Sequence, residues 1–75
     1  MKELVDIIAK SLVDNPDAVK VEEEVNGSTT VLRLHVAQED MGKVIGKQGR
    51  IAKAIRSVVK AAATRKNIKV IVDII

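Results

Sequence analysis

The sequence predicts an α+β fold in the order αββααβ, a three-stranded mixed sheet carrying its helices on one face. Three observations carry that prediction. Apolar residues recur at helical spacing over 1–13 and again over 50–65. They alternate with polar residues on either side of Asn26-Gly27 and once more over 68–74. Gly46 and Gly49 interrupt the chain just ahead of the longer helical stretch.

Residues 1–13 place Met1, Leu4, Val5, Ile8 and Leu12 on one stripe, with Lys2, Glu3, Asp6 and Lys10 elsewhere, as in a helix lying on a core. Asn15-Pro16 ends it, because proline disfavours helical geometry in the residue before it. Asn26-Gly27 then reads as a two-residue hairpin loop. That loop sets Val25 opposite Ser28, Val21 opposite Leu32 and Val19 opposite Leu34. One face becomes Val19, Val21, Val25, Leu32, Leu34 and Val36, while Lys20, Glu22, Glu24, Arg33 and His35 share the other. Glu23 falls on the apolar face and is expected to reach solvent at the sheet edge.

Residues 38–45 form one or two helical turns, with Glu39 and Asp40 set against the helix dipole. After Gly46-Lys47-Gln48-Gly49, a helix runs from about Arg50 to Arg65, with Ile51, Ile55, Val58, Val59 and Ala62 on its core side. Arg50, Lys53, Arg56 and Lys60 lie opposite, within an arc of about 120°. Asn67 is a left-handed cap, and Ile68, Val70, Val72 and Ile74 alternate as the third strand. The helical crossover is long enough to make that strand parallel to the second, through a right-handed connection.

Seventy-five residues are expected to form one domain, 1–75, with a thin core and no deep internal cavity, so function belongs on the surface. The absence of cysteine removes disulfides and thiolate chemistry, and His35 alone cannot build a zinc site. No metal and no cofactor are expected. The longest run without a charged residue is Val25–Leu32, too short to cross a membrane, and Glu3 and Asp6 stand where a signal peptide needs an apolar core. These features point to a cytoplasmic protein. The carboxylates at 22–24 and 39–40 stand away from the histidine, and Glu22-Glu23-Glu24 alternates faces within a strand, so no enzymatic activity is expected.

Charge is unevenly spread along the chain. Residues 1–40 hold four basic and nine acidic side chains, a balance of −5, while residues 41–75 hold nine basic ones and Asp73, a balance of +8. Such a one-sign block is the footprint of a surface for a polyanion. Within it, Gly42 and Gly46 are one residue too close for a Walker A loop, and Gln48 replaces the hydroxyl which that loop requires. What fits is a helix, a G-x-x-G turn and a second helix. Glycines let a ligand approach the backbone, and amides at a helix start favour a phosphate. Lys43, Lys47 and Arg50 bring charge to the turn and Lys53 extends it along the helix. Val44, Ile45 and Ile51 flank the turn with aliphatic surface on which bases can rest.

The stretch from Val44 to Arg56 (VIGKQGRIAKAIR), together with Leu12 to Asp17 (LVDNPD) after the first helix, resembles the type II KH domain. Taken whole, the chain is similar to the KhpA family of small bacterial RNA-binding proteins. The resemblance implies a stand-alone KH domain that binds single-stranded RNA in the cytoplasm, its G-x-x-G loop clamping about four nucleotides. It implies an RNA chaperone or post-transcriptional regulator, self-association as a homodimer, and pairing with a KhpB-type partner. Carried onto this chain, the loop is Gly46, Lys47, Gln48 and Gly49, and the groove wall includes Val44, Ile45 and Ile51. The absence of Phe, Trp and Tyr removes base stacking on aromatics, so binding must rest on backbone clamping, charge and aliphatic contact. Affinity is then expected to be weak and strongly salt-dependent. The alternative is a dimerisation or scaffold module, for which Ala61-Ala62-Ala63 offers a small-residue patch and Ile71 and Ile75 an apolar sheet face.

Overall fold

The computed structural model describes residues 1–75. Helices α1 (Lys2–Leu12), α2 (Met41–Ile45) and α3 (Arg50–Arg65) accompany strands β1 (Lys20–Asn26), β2 (Thr29–His35) and β3 (Lys69–Ile74). Short 3-10 turns at Pro16–Ala18, Gln38–Asp40 and Lys47–Gly49 connect them. The order αββααβ is the expected one. β1 pairs antiparallel with β2, and β2 pairs parallel with β3, in the sheet order β1-β2-β3.

The alternating pattern of the strands places the core on one sheet face. Val21, Leu32, Leu34 and Val72 meet Val5 and Ala9 of α1, Val44 of α2, and Ile55 and Val59 of α3. Leu32 and Leu34 are fully buried, so truncating either to alanine should cost about 3 kcal/mol. The other face is bare of helices: Ile71 and Ile75 are exposed there, and Glu24 bonds Arg33 at 3.1 Å. Glu22, expected to stand away from any histidine, instead lies 2.6 Å from His35 Nε2 across the strands. Glu23 reaches solvent on the edge strand β1, as expected.

The hairpin register differs from the expectation by two residues. Asn26 pairs with Thr29, Val21 with Leu34 and Glu23 with Leu32, so the loop is Gly27-Ser28. Gly27 has φ +61 and Ser28 has no positive φ, the arrangement of a turn that wants glycine at its first central position. A shift of two preserves the side-chain period, so every apolar residue stays on its expected face.

α3 has the expected bounds but is rotated about its axis. Ala52, Ile55, Val59 and Ala63 are buried, whereas Val58 is about half exposed and Ile51 half-buried. Two residues of the buried row are alanines, while the bulkier Ile51 and Val58 lie with Ile8 and Leu12 of α1. Asn67 does end the helix in the left-handed conformation, φ +58. Its N–H bonds Thr64 C=O at 3.1 Å while that of Ile68 bonds Ala63 C=O at 3.0 Å, which satisfies two end carbonyls.

Candidate nucleic-acid interface

Gly46 closes α2 by donating its N–H to Gly42 C=O at 2.8 Å, then turns the chain with φ +75 and ψ 174. No larger residue fits there, because a Cβ would stand 2.5 Å from Cγ1 of Ile51. Gln48 follows with φ +59 and Gly49 with φ +73. At Gly49 the space beside the backbone is open. Three of the four positions thus have positive φ, and Lys47 and Gln48 between the glycines are exposed. A left-handed non-glycine residue costs about 1–2 kcal/mol, so Gln48 sits in stored strain. No side chain caps the amino end of α3, where the loop delivers the chain.

Cations gather at this point. Lys47, Arg50 and Lys53 are exposed, and none of them forms an ion pair. Arg50 reaches back to Gln48 Oε1 at 3.4 Å, across the loop. Lys43 behaves differently: it bonds the Asp14 carboxylate and lies 3.5 Å from Asp40 Oδ1. The hydrogen bond with Asp14, followed by the charges of Asp14 and Asp40, raises its pKa above the ordinary lysine value. Arg56, expected on a free cationic face, donates Nε–H to Val72 C=O of β3 at 3.2 Å.

The expected aliphatic wall is only partly assembled. Val44 is fully buried and belongs to the core rather than to any ligand-facing surface. Ile45 is exposed beside the loop. Ile51 lines an open groove of about 400 Å³ with Ile8 and Leu12 of α1 and Ala54, Ile55 and Val58 of α3, Arg50 standing at its loop end. The part taken by α1 is not expected from the sequence, although Leu12 at the tail of the α1 stripe is a signal for it.

Asp40 lies with Glu39 in the first turn, as expected, and it has a further role. It caps no helix amide; it is buried, and its Oδ2 accepts the Asn15 N–H at 3.0 Å. That bond ties the turn after α1 to the start of α2, one helical turn ahead of the loop. No group of His, Cys, Asp or Glu side chains is arranged to hold a metal, and no helix is long and apolar enough to cross a membrane.

A family model described as KhpA/KhpB, KH domain matches residues 2–74. The chain belongs to the KhpA/KhpB KH-domain family. Its relatives include the RNA-binding protein KhpA of Clostridium perfringens, 67% identical, and that of Clostridium acetobutylicum, 63% identical, each over all 75 residues and the full length of both chains. A crystal structure of Aquifex aeolicus Era shares the fold over 97% of this chain and 28% of its own, with a TM-score of 0.66 at 19% identity. The matched residues include Gly46-Lys47-Gln48-Gly49, whose geometry is described above.

Proposed function

We propose that residues 1–75 act as a single KH unit that binds short single-stranded RNA at the 46–49 loop, as an RNA chaperone or post-transcriptional regulator in the cytoplasm. The observation that carries this reading is the loop itself: outward backbone with an open side at Gly49, beside three cations that no acid neutralises. A phosphate settles against Gly46 to Gly49 and the start of α3, with Lys47 and Arg50 supplying charge and Lys53 the next contact along the strand. Gln48 offers an amide to a sugar or phosphate, and bases rest on Ile45 and Ile51. The names of the KhpA relatives support RNA as the polymer.

Affinity then comes from counterion release more than from base reading, so it falls steeply with salt. Changing Lys47→Asp together with Gln48→Asp removes one positive charge and adds two negative ones. Binding of a labelled RNA octamer should fall about 100-fold at 0.1 M salt with unchanged circular dichroism. Undiminished binding by this variant would refute the loop assignment. Self-association or pairing with a KhpB-type protein is a separate property of the same molecule, supported by exposed Val58 beside Ala61 and Ala62 on α3. Sedimentation equilibrium with and without RNA tests it.

A further inference from the structure

Of the four cations at or beside the loop, Lys43 alone is ion-paired. Side chains on a helix lean toward its amino end, so Lys43 points back from Gly46 toward Asp40 and the turn after α1. The two acids that meet it there have unlike roles. Asp40 is buried at 1% exposure and holds the Asn15 N–H, which makes it part of the scaffold. The Asp14 side chain is 83% exposed, and Lys43 is its one side-chain partner. Exposed ion pairs add little to stability, so the scaffold does not explain Asp14. Its evident effect is to occupy a lysine that stands three residues from a loop suited to phosphate.

We infer that Asp14 restrains RNA binding by holding Lys43 away from the strand on the 46–49 loop. This rests on the RNA-binding reading above. Lys43 stays charged whether or not it is paired, so loss of Asp14 removes one negative charge and leaves the lysine with only the 3.5 Å Asp40 contact. A released Lys43 adds one phosphate contact. The chain thus carries a built-in counter-anion that sets its affinity below what its basic block allows.

The test is a double-mutant cycle on the full chain, read by anisotropy with a mixed-sequence RNA octamer between 0.05 and 0.5 M salt. Asp14→Asn should tighten binding about fivefold at 0.1 M salt and steepen the log–log salt slope by about 0.7, one contact to a single strand. Lys43→Met in the wild-type background should change affinity less than twofold, and the pair Asp14→Asn with Lys43→Met should return to the wild-type value. Asp17→Asn makes the same charge change without a lysine partner and should give little gain. No tightening in Asp14→Asn, a gain that survives Lys43→Met, or an equal gain in Asp17→Asn would each overturn the inference. The Lys47→Asp, Gln48→Asp variant runs alongside: if it binds as well as wild type, the loop reading fails instead. Melting curves of each variant confirm that the comparison is among folded proteins.

Discussion

Two turns in this chain rely on glycine with positive φ, and they meet different demands. The hairpin turn needs one such residue, Gly27, set between strands whose ladder continues to Asn26 and Thr29. The 46–49 loop needs three, at Gly46, Gln48 and Gly49, and has no ladder to repay them. The first turn reverses the chain and no more. The second accumulates strain where the chain exposes backbone and cations, a cost that makes sense only if something else benefits. That contrast sets the hairpin glycine apart from the glycines proposed to meet RNA, and it can be broken residue by residue.

The largest effect should come at Gly46. Alanine there meets Ile51 and must also adopt a left-handed conformation, so unfolding in urea should show a loss of about 3 kcal/mol. Adding Ile51→Ala should recover part of it. Next come Gly49→Ala and Gly27→Ala, which meet open space and so differ from wild type mainly in backbone conformation. Each should cost about 1 kcal/mol of stability. Only Gly49→Ala should weaken RNA binding, by about fivefold if one backbone contact is lost. Equal binding losses at both positions would erase the distinction between the two turns.

Smaller still is Gln48→Gly, which relieves a left-handed side chain at the expense of backbone entropy and should stabilise by about 0.5 kcal/mol. The smallest effect concerns Lys43. Its folded-state pKa is raised, so the stability this contributes is fully present below the ordinary value of 10.5 and lost as pH rises through the elevated one. NMR of the Lys43 Nζ should show titration above 10.5, and Asp14→Asn should bring it down.

The same contrast marks what the sequence could tell. The bounds of α3, the cap at Asn67 and the facing of every strand residue follow from local period and turn chemistry, and all were legible. The hairpin register slipped by two because the dipeptide Asn26-Gly27 and the dipeptide Gly27-Ser28 are both good turns, and side-chain alternation cannot separate registers of equal parity. The rotation of α3 was missed because its apolar residues span more than one face, and only the partner surfaces decide which face is buried. At the site, the loop was plain from its glycines and charges. The fate of its neighbours was not. Asp14 and Lys43 lie 29 residues apart, Asp40 and Asn15 lie 25 apart, and Arg56 meets a backbone carbonyl of β3. Pairings of that range leave no trace in local pattern, so Val44 read as ligand surface when it is core, and Lys43 read as free when it is held.

The most direct measurement is a two-dimensional NMR titration of the full chain with a single-stranded RNA octamer at low salt. Amide shifts should concentrate at residues 46–53 and at Ile45, with Gly27, Ser28 and the open sheet face unmoved. Shifts centred on the hairpin or the sheet face, with the 46–49 amides silent, would contradict the claim that this strained, cation-flanked loop is where the polymer lies.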